Sequence, residues 1–222
     1  MQRIEKAIES AVTADSGGFT GYASRFLNID RQGDMILPGA YAKALPEFLD
    51  DGGVILADHV NKTMAVAATL RDASEDKSGL LISGGFSATE TGQRLRQLLK
   101  EKAVNKMSIS FNVAPAKFKN VKEADIHAIW KRYGYQPSSK QLQLSKSGAN
   151  LISDVNEILE VSFVPIPANR EAGIISVKSH GGTPAAVEVV DRARFVALVQ
   201  RASRVETVLA AASGKGKRKN ER

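Results

Sequence analysis

Residues 106–113 read KMSISFNV, an unbroken alternation of polar and apolar side chains. This period of two is the pattern of a β-strand that buries one of its faces. The apolar positions are expected to face a core, whereas Ser108, Ser110 and Asn112 share the opposite face. Two hydroxyls on the open face of a rigid strand form either a solvated surface or a place for a nucleophile.

The composition is that of an ordinary soluble globular protein, with 43% hydrophobic and 25% charged residues in a chain of 222. A chain of this length buries one sizeable core. No run of about 18 apolar residues and no signal-peptide segment occurs, so no membrane partner is expected. The absence of cysteine excludes disulfides, thiolate nucleophiles and cysteine-based zinc sites, and three scattered histidines disfavour a histidine-rich metal site. We therefore expect no cofactor, no metal and a reducing, cytoplasmic setting.

The net charge of +7 is concentrated near the end of the chain. Residues 1–180 carry 22 Lys and Arg against 20 Asp and Glu, whereas residues 181–222 carry 9 against 4. A folded domain that binds nucleic acid is expected to show a basic footprint of its own. The near-neutral balance of the first segment therefore argues against nucleic acid as its partner.

Other segments of the chain show strand or helix patterns, and clusters of Gly, Asp and Pro separate them. Residues 87–90 have capping-box spacing before a helical apolar face that reaches Ala103. Residues 71–79 look like a charged turn, and residues 114–156 are polar, basic and poorly periodic. Many short strands with few helices predict an α+β fold, β-rich and barrel-like. We expect strands at 19–27, 54–57, 64–70, 80–86, 106–113, 158–164 and 174–177, and helices at 38–48, 90–103 and 124–133.

The chain is expected to divide into an N-terminal lead-in at 1–17, one domain at 18–180 and a separate segment at 181–222. That last segment combines a Gly- and Pro-containing linker, a short amphipathic helix with 3-4-3-4 apolar spacing at 195–209, and a disordered basic tail. Two interpretations of it stay open. The helix either packs on its own domain or acts as a detachable targeting element.

Two further residues complement the serines. His59 follows the apolar segment 54–57, and imidazole changes protonation near neutral pH. Glu160 lies in an apolar strand, where a carboxylate is costly to bury unless it has a partner such as histidine. A serine becomes a nucleophile only when a base removes its proton. The pattern alone leaves a solvent-facing histidine and glutamate equally open, and it gives His127 and His180 structural roles only.

The order of five short segments resembles the prohead (capsid maturation) protease family of tailed bacteriophages. The resemblance covers roughly residues 18–178. The matching segments are GFTGYAS at 18–24 with Asp30, GD at 33–34 and PGA at 38–40; DH at 58–59; GLLI at 79–82 with Gly92; MSISF at 107–111; and LEVSFV at 159–164 with PAN at 167–169 and Ala172.

The resemblance implies a serine endopeptidase with a fold related to the herpesvirus assembly protease. It implies His59 as general base, Ser108 as nucleophile and Glu160 as the orienting third member. It also implies action inside the viral procapsid, in the host cytoplasm, on the major capsid protein or a separate scaffold, and on the enzyme itself. Ser110 stands where the family usually has glycine, so it leaves a competing hydroxyl on the same face. A homo-oligomer is left open.

An oxyanion hole must accompany such a nucleophile, and we expect backbone amides near Asn169 and Arg170 to form it. The main rival is a non-catalytic capsid-assembly or nucleic-acid-binding protein. Its support is the segment 114–156, since basic residues interleaved with aromatics can bind phosphate and stack bases. The residues concerned are Lys117, Lys119, Lys122, Lys131, Arg132 and Lys140, with Phe118, Trp130, Tyr133 and Tyr135.

Overall fold

The computed structural model of the protein describes residues 17–178, which form ten strands and four α-helices. Seven of the strands make one sheet in the order β10-β1-β5-β4-β3-β9-β6, and three make a smaller sheet in the order β2-β8-β7. The strands are β1 Gly18–Arg25, β2 Asp34–Ile36, β3 Val54–Ala57, β4 Val66–Glu75, β5 Gly79–Phe86, β6 Lys106–Asn112, β7 Phe118–Val121, β8 Ala149–Ile152, β9 Glu157–Val164 and β10 Gly173–Lys178. The helices are α1 Leu45–Asp50, α2 Glu90–Lys100, α3 Glu123–Tyr133 and α4 Ser139–Ser145.

The large sheet curls until its two ends approach each other. The amide of Ile174 in β10 donates to the carbonyl of Asn105, just before β6, at 3.0 Å. A Cβ added to Gly21 of β1 would lie 2.8 Å from the sulfur of Met107 in β6, so glycine permits this close approach. The prediction of a β-rich, barrel-like α+β fold is therefore confirmed.

The core fills the inside of this curl. Phe19, Phe86 and Phe163 come from β1, β5 and β9, and their ring centroids lie 4.8 to 5.8 Å apart. β1 and β9 are not neighbours in the sheet, so the ring contact between them crosses its interior. Met107 and Val161 are also fully buried, and the burial of Met107 agrees with the alternation along β6.

The segment 114–156 is a packed layer rather than an irregular insertion. It supplies α3, α4 and two of the three strands of the small sheet. The indole of Trp130 donates to the Leu27 carbonyl at 2.7 Å. The Gln141 side chain accepts from Ile29 N at 2.7 Å and donates to Ile29 O at 3.0 Å. These contacts fix the loop that follows β1.

Several predicted boundaries were wrong. The first helix begins at Leu45, because the preceding residues form turns with Gly39 at φ 91° and Tyr41 N held by the Glu75 carboxylate at 2.9 Å. β4 continues through the predicted charged turn as far as Glu75, because β5 pairs with it along its length. The N-cap of α2 is Thr89, whose hydroxyl accepts a hydrogen bond from Gly92 N. The predicted capping box, which began at Ser87, is not formed.

The predicted lead-in at 1–17 lies outside the described residues except for Gly17, and so do the linker, the helix at 195–209 and the basic tail. Within residues 17–178, no helix is long and apolar enough to cross a membrane.

Candidate active site

β9 lies between β3 and β6 and brings the predicted site residues onto one face. It runs parallel to β3 and antiparallel to β6. In the antiparallel pair, Ser108 stands opposite Ser162, and Ser110 stands opposite Glu160. Directly opposed residues point to the same side of a sheet. Four polar side chains therefore share one patch of this face.

His59 reaches the patch from the end of β3. The strand ladder closes where Asp58 N donates to the Phe163 carbonyl at 3.0 Å. Asp58 and His59 then both adopt φ 58°, the left-handed region that costs a residue with a side chain about 1–2 kcal/mol. The His59 amide donates to Ser162 Oγ at 3.1 Å, a side-chain acceptor in place of a carbonyl. The chain thus turns sharply at the point where the imidazole is needed.

The imidazole of His59 pairs with the Glu160 carboxylate. Nδ1 lies 2.6 Å from Oε1, and the two side chains are 37% and 11% exposed. The hydrogen bond to Glu160 raises the pKa of His59 above its usual value, in spite of the opposing effect of burial. Burial raises the pKa of Glu160, but hydrogen bonds from His59, Ser110 and Ser162 outweigh it and hold that pKa below its usual value.

The two serines of β6 stand differently toward this pair. Ser110 Oγ lies 3.2 Å from His59 Nδ1, the nitrogen already bound by Glu160. Ser108 is 5% exposed, and its hydroxyl makes no hydrogen bond among residues 17–178. Ser108 and His59 therefore share the cavity wall without a hydrogen bond between them, and such catalytic hydrogen bonds often tighten only in the substrate complex. The ring nitrogen left for a nucleophile is Nε2.

A cavity of about 450 Å³ opens beside these groups. Its wall includes His59, Ser108, Asp30, Asn169 and Ile166, so it joins the β6 patch to two loops. Asp30 is 9% exposed, and burial raises the pKa of its carboxyl although backbone amides of the same loop donate to it. A substrate segment in this cavity would lie against the Ser108 strand.

The loop between β9 and β10 is anchored from three sides. The Asn169 side chain donates to the Arg25 carbonyl at 3.0 Å and exchanges hydrogen bonds with the side chain of Asn28. Lys106 Nζ, at the start of β6, donates to the Arg170 carbonyl at 3.0 Å. The Arg170 amide makes no hydrogen bond among residues 17–178. The loop borders the cavity through Ile166 to Asn169, and the Arg170 amide follows directly after these residues.

Sequence reasoning brought together His59, Glu160 and the β6 serines but gave no role to Ser162. Its spacing of two from Glu160 was the available clue, since residues i and i+2 share a strand face. His127 lies elsewhere, with Nε2 at 3.2 Å from Ser145 Oγ and its ring stacked on Trp130. No cluster of three or more metal-ligating side chains occurs in residues 17–178.

Comparison with known proteins gives one family, one relative and two solved structures. The family model described as caudovirus prohead serine protease matches residues 5–184. The prohead protease of Enterobacteria phage HK97 is 27% identical over 180 residues, which are 80% of this chain and 68% of that protein. Among solved structures, the varicella-zoster virus protease shows 16% identity and a TM-score of 0.39, covering 84% of this chain and 77% of that one. A KSHV protease in complex with a hexapeptide phosphonate inhibitor shows 12% identity and a TM-score of 0.35, covering 91% and 90%.

Proposed function

The chain belongs to the caudovirus prohead serine protease family, and on that premise we propose that Ser108 is its nucleophile, His59 the general base and Glu160 the orienting carboxylate. Membership makes the protein a serine protease of capsid maturation. The observation that supports the assignment is the 2.6 Å pairing of His59 with Glu160 at the cavity that Ser108 lines. Perturbed histidine and carboxylate groups in a cavity are typical of catalytic sites.

The proposed mechanism uses the two ring nitrogens for different tasks. Glu160 accepts a hydrogen bond from the Nδ1–H of His59, and this tautomer leaves the lone pair on Nε2. Nε2 takes the Ser108 proton as Oγ attacks the peptide carbonyl, and the resulting imidazolium protonates the leaving amine. Water then repeats the sequence on the acyl-enzyme, with Nε2 as base, and releases Ser108. The carboxylate stabilises the imidazolium at each step.

Ser110 is the competing hydroxyl, and its position argues against it as nucleophile. It lies 3.2 Å from the nitrogen that Glu160 occupies. A base cannot both donate its Nδ1 proton to Glu160 and accept a proton from Ser110 at that atom. We assign Ser110 to the support of the His59–Glu160 pair, whose carboxylate it also hydrogen-bonds.

The proposed oxyanion donor is the Arg170 backbone amide. The anchored loop and the unused N–H of Arg170 support this assignment. Arg170→Pro removes the amide, while Arg170→Ala keeps it and serves as the control. Loss of one such donor costs about 10²–10³ in kcat. Equal turnover in two variants of equal melting temperature would remove Arg170 from the site.

The proposed substrates are the phage major capsid protein or a separate scaffold protein, and the enzyme itself. The family name points to the prohead, so we place the reaction inside the procapsid, in the host cytoplasm. The segment 181–222 is proposed to deliver the enzyme there. Deleting it tests delivery, because unchanged incorporation into procapsids would leave no targeting role for that segment.

The alternative of a nucleic-acid-binding protein depends on aromatic rings that are exposed for base stacking. Trp130 is 2% exposed and packs in the core, and Tyr133 and Tyr135 are partly buried against that core. Of the four aromatics that supported it, Phe118 is the exposed one, at 45%. Aromatic rings bind bases through open faces. Trp130, Tyr133 and Tyr135 therefore contribute to the core of the fold.

Co-expression with the capsid protein tests the proposed function. Wild type, Ser108→Ala, Ser110→Ala and His59→Ala enzymes are compared by intact mass of both chains. We expect cleavage of capsid protein and self-cleavage by the wild type and by Ser110→Ala, and none by the other two. Processing by Ser108→Ala would show that the nucleophile is another residue.

A further inference from the structure

We propose that Ser162 is a positioning residue of this protease, whose one hydroxyl holds both the His59 backbone and the Glu160 carboxylate in register. Ser162 is fully buried in the middle of β9, between Leu56 of β3 and Ser108 of β6. The inference rests on the proposed function, since it assigns a task to a residue that supports the proposed base.

The hydroxyl of Ser162 accepts one hydrogen bond and donates another, each with a different neighbour. It accepts a hydrogen bond from the His59 amide at 3.1 Å. It donates its own proton to Oε2 of Glu160 in a short hydrogen bond. A serine hydroxyl has one proton to donate, so the bond to Glu160 uses it fully. Ser162 is therefore a defined link between the two residues.

The first half of the link holds a strained backbone. Asp58 and His59 both have φ 58°, and the last main-chain hydrogen bond of β3 to β9 is that of Asp58 N. The next amide, that of His59, has Ser162 as its acceptor. Left-handed residues persist only where their surroundings hold them. Without the Ser162 hydroxyl, the backbone amide of His59 has no hydrogen-bond acceptor at this position.

The second half of the link orients the carboxylate. Oε1 of Glu160 binds His59 Nδ1 and Oε2 binds Ser162, and Ser110 also hydrogen-bonds this carboxylate. Without Ser162, only His59 and Ser110 hold the carboxylate, and its broad terminal torsion lets it turn away from the position that Ser162 fixes. The charged groups that face the imidazole are Glu160 and the adjacent Asp58, and the Ser110 hydroxyl meets it from β6. Ser162 thus positions Glu160, the group with the largest effect on the pKa of His59.

A merely structural serine would behave differently from a positioning one. A buried serine whose hydroxyl only satisfies its neighbours contributes to stability, and its loss lowers the folded fraction. A positioning serine also changes the protonation behaviour of His59. Because pairing with Glu160 raises the pKa of His59, a loosened pair lowers that pKa. The acid limb of the pH–rate profile is then expected to move to lower pH, in the same direction as for Glu160→Gln.

The test measures phosphonylation by a fluorophosphonate probe, in which Ser108 Oγ displaces fluoride from phosphorus and so needs the same base. The rate constant is followed against pH for Ser162→Ala and Ser162→Thr, with Glu160→Gln as the reference for a lost pair. Ser145→Ala is the matched control, because Ser145 is also fully buried and also hydrogen-bonded near a histidine, His127.

We expect Ser162→Ala to react about 10- to 100-fold more slowly, since small misplacements of catalytic groups cost up to about 10²-fold. Its acid limb should move toward that of Glu160→Gln, Ser162→Thr should recover most of the rate, and Ser145→Ala should match the wild type. A wild-type rate, or a slower rate with an unmoved profile, overturns the proposal. Should the alanine variant not fold, Ser162→Cys keeps the volume but donates weakly, and the same shift is expected.

A second readout is independent of activity. In a Ser108→Ala background, NMR titration follows the imidazole of His59, assigned among the three histidines by substitution. We expect Ser162→Ala to lower its titration midpoint, and an unchanged midpoint overturns the inference. Failure of the wild type to react at Ser108 would instead overturn the proposed function. The two failures are therefore distinguishable.

Discussion

Replacing Glu160 with Gln is the perturbation with the largest calculable effect. In the transition state the imidazolium of His59 faces a carboxylate 2.6 Å away. Two unit charges at that distance attract by about 6 kcal/mol at an effective dielectric constant of about 20. The His59 side chain is 37% exposed, so solvent screens part of this attraction. A remaining loss of about 4 kcal/mol corresponds to about a 10³-fold fall in kcat.

The acid limb of the pH profile should move as well. The pKa of His59 is raised by Glu160, so neutral base forms only at higher pH in the wild type. Without the carboxylate that pKa falls, and the variant keeps its residual activity to lower pH. The assay is the initial rate of capsid-protein cleavage followed by mass across a pH series.

The matched control for this substitution is Glu157→Gln. Glu157 lies on the same strand, is exposed and bonds Asn112 at 2.6 Å, outside the cavity wall. It should keep wild-type turnover. The expected fall in kcat for Glu160→Gln is about 10³-fold. A fall of less than about tenfold in a folded variant would refute the orienting role of Glu160.

Three further outcomes are expected. Ser110→Ala should keep turnover within about tenfold of wild type, because its hydroxyl meets a nitrogen of His59 that is not the base; a loss equal to that of Ser108→Ala would contradict this. Burial raises the pKa of Glu75 to about 7 from 4.5, so its contribution to stability is present below pH 4.5 and is lost as pH rises to about 7. Glu75→Gln should therefore stabilise the fold by up to about 3 kcal/mol at pH 8 but little at pH 4.5, in urea denaturation; equal gains at both pH values would contradict the buried acid. Trp130→Ala should cost about 3–5 kcal/mol in the same experiment, and a loss below about 1 kcal/mol would show that the layer 114–156 is not part of the cooperative fold.

The strands that carry the site were predictable because their patterns are local. The alternation in β6 gives its buried face without any knowledge of its partners. β3 is bounded by glycines and by Asp58, and its predicted limits match those observed. The pairing of β6 with β9 is different, because it depends on register between segments about 50 residues apart. The sequence therefore left both serines as candidate nucleophiles. The register of the pair places Ser110 opposite Glu160 and Ser108 opposite Ser162.

Most of the layer at 114–156 could not be predicted, for a physical reason. Its strands have four residues each, too few to show a period, and β7 is largely exposed. Its helix α3 was expected, at nearly its observed limits. The contacts that order the rest are long-range: β8 pairs with β2, and the Gln141 side chain exchanges two hydrogen bonds with the backbone of Ile29. Contacts of this kind do not affect the hydrophobic periodicity of the sequence, so the sequence cannot predict them.

The identity of the attacking serine is the central claim, and labelling tests it most directly. The wild-type enzyme is treated with a fluorophosphonate, digested, and the modified residue is located by tandem mass spectrometry. We expect a single adduct on Ser108 that is absent from His59→Ala. An adduct on Ser110, or labelling that persists in Ser108→Ala, would contradict it.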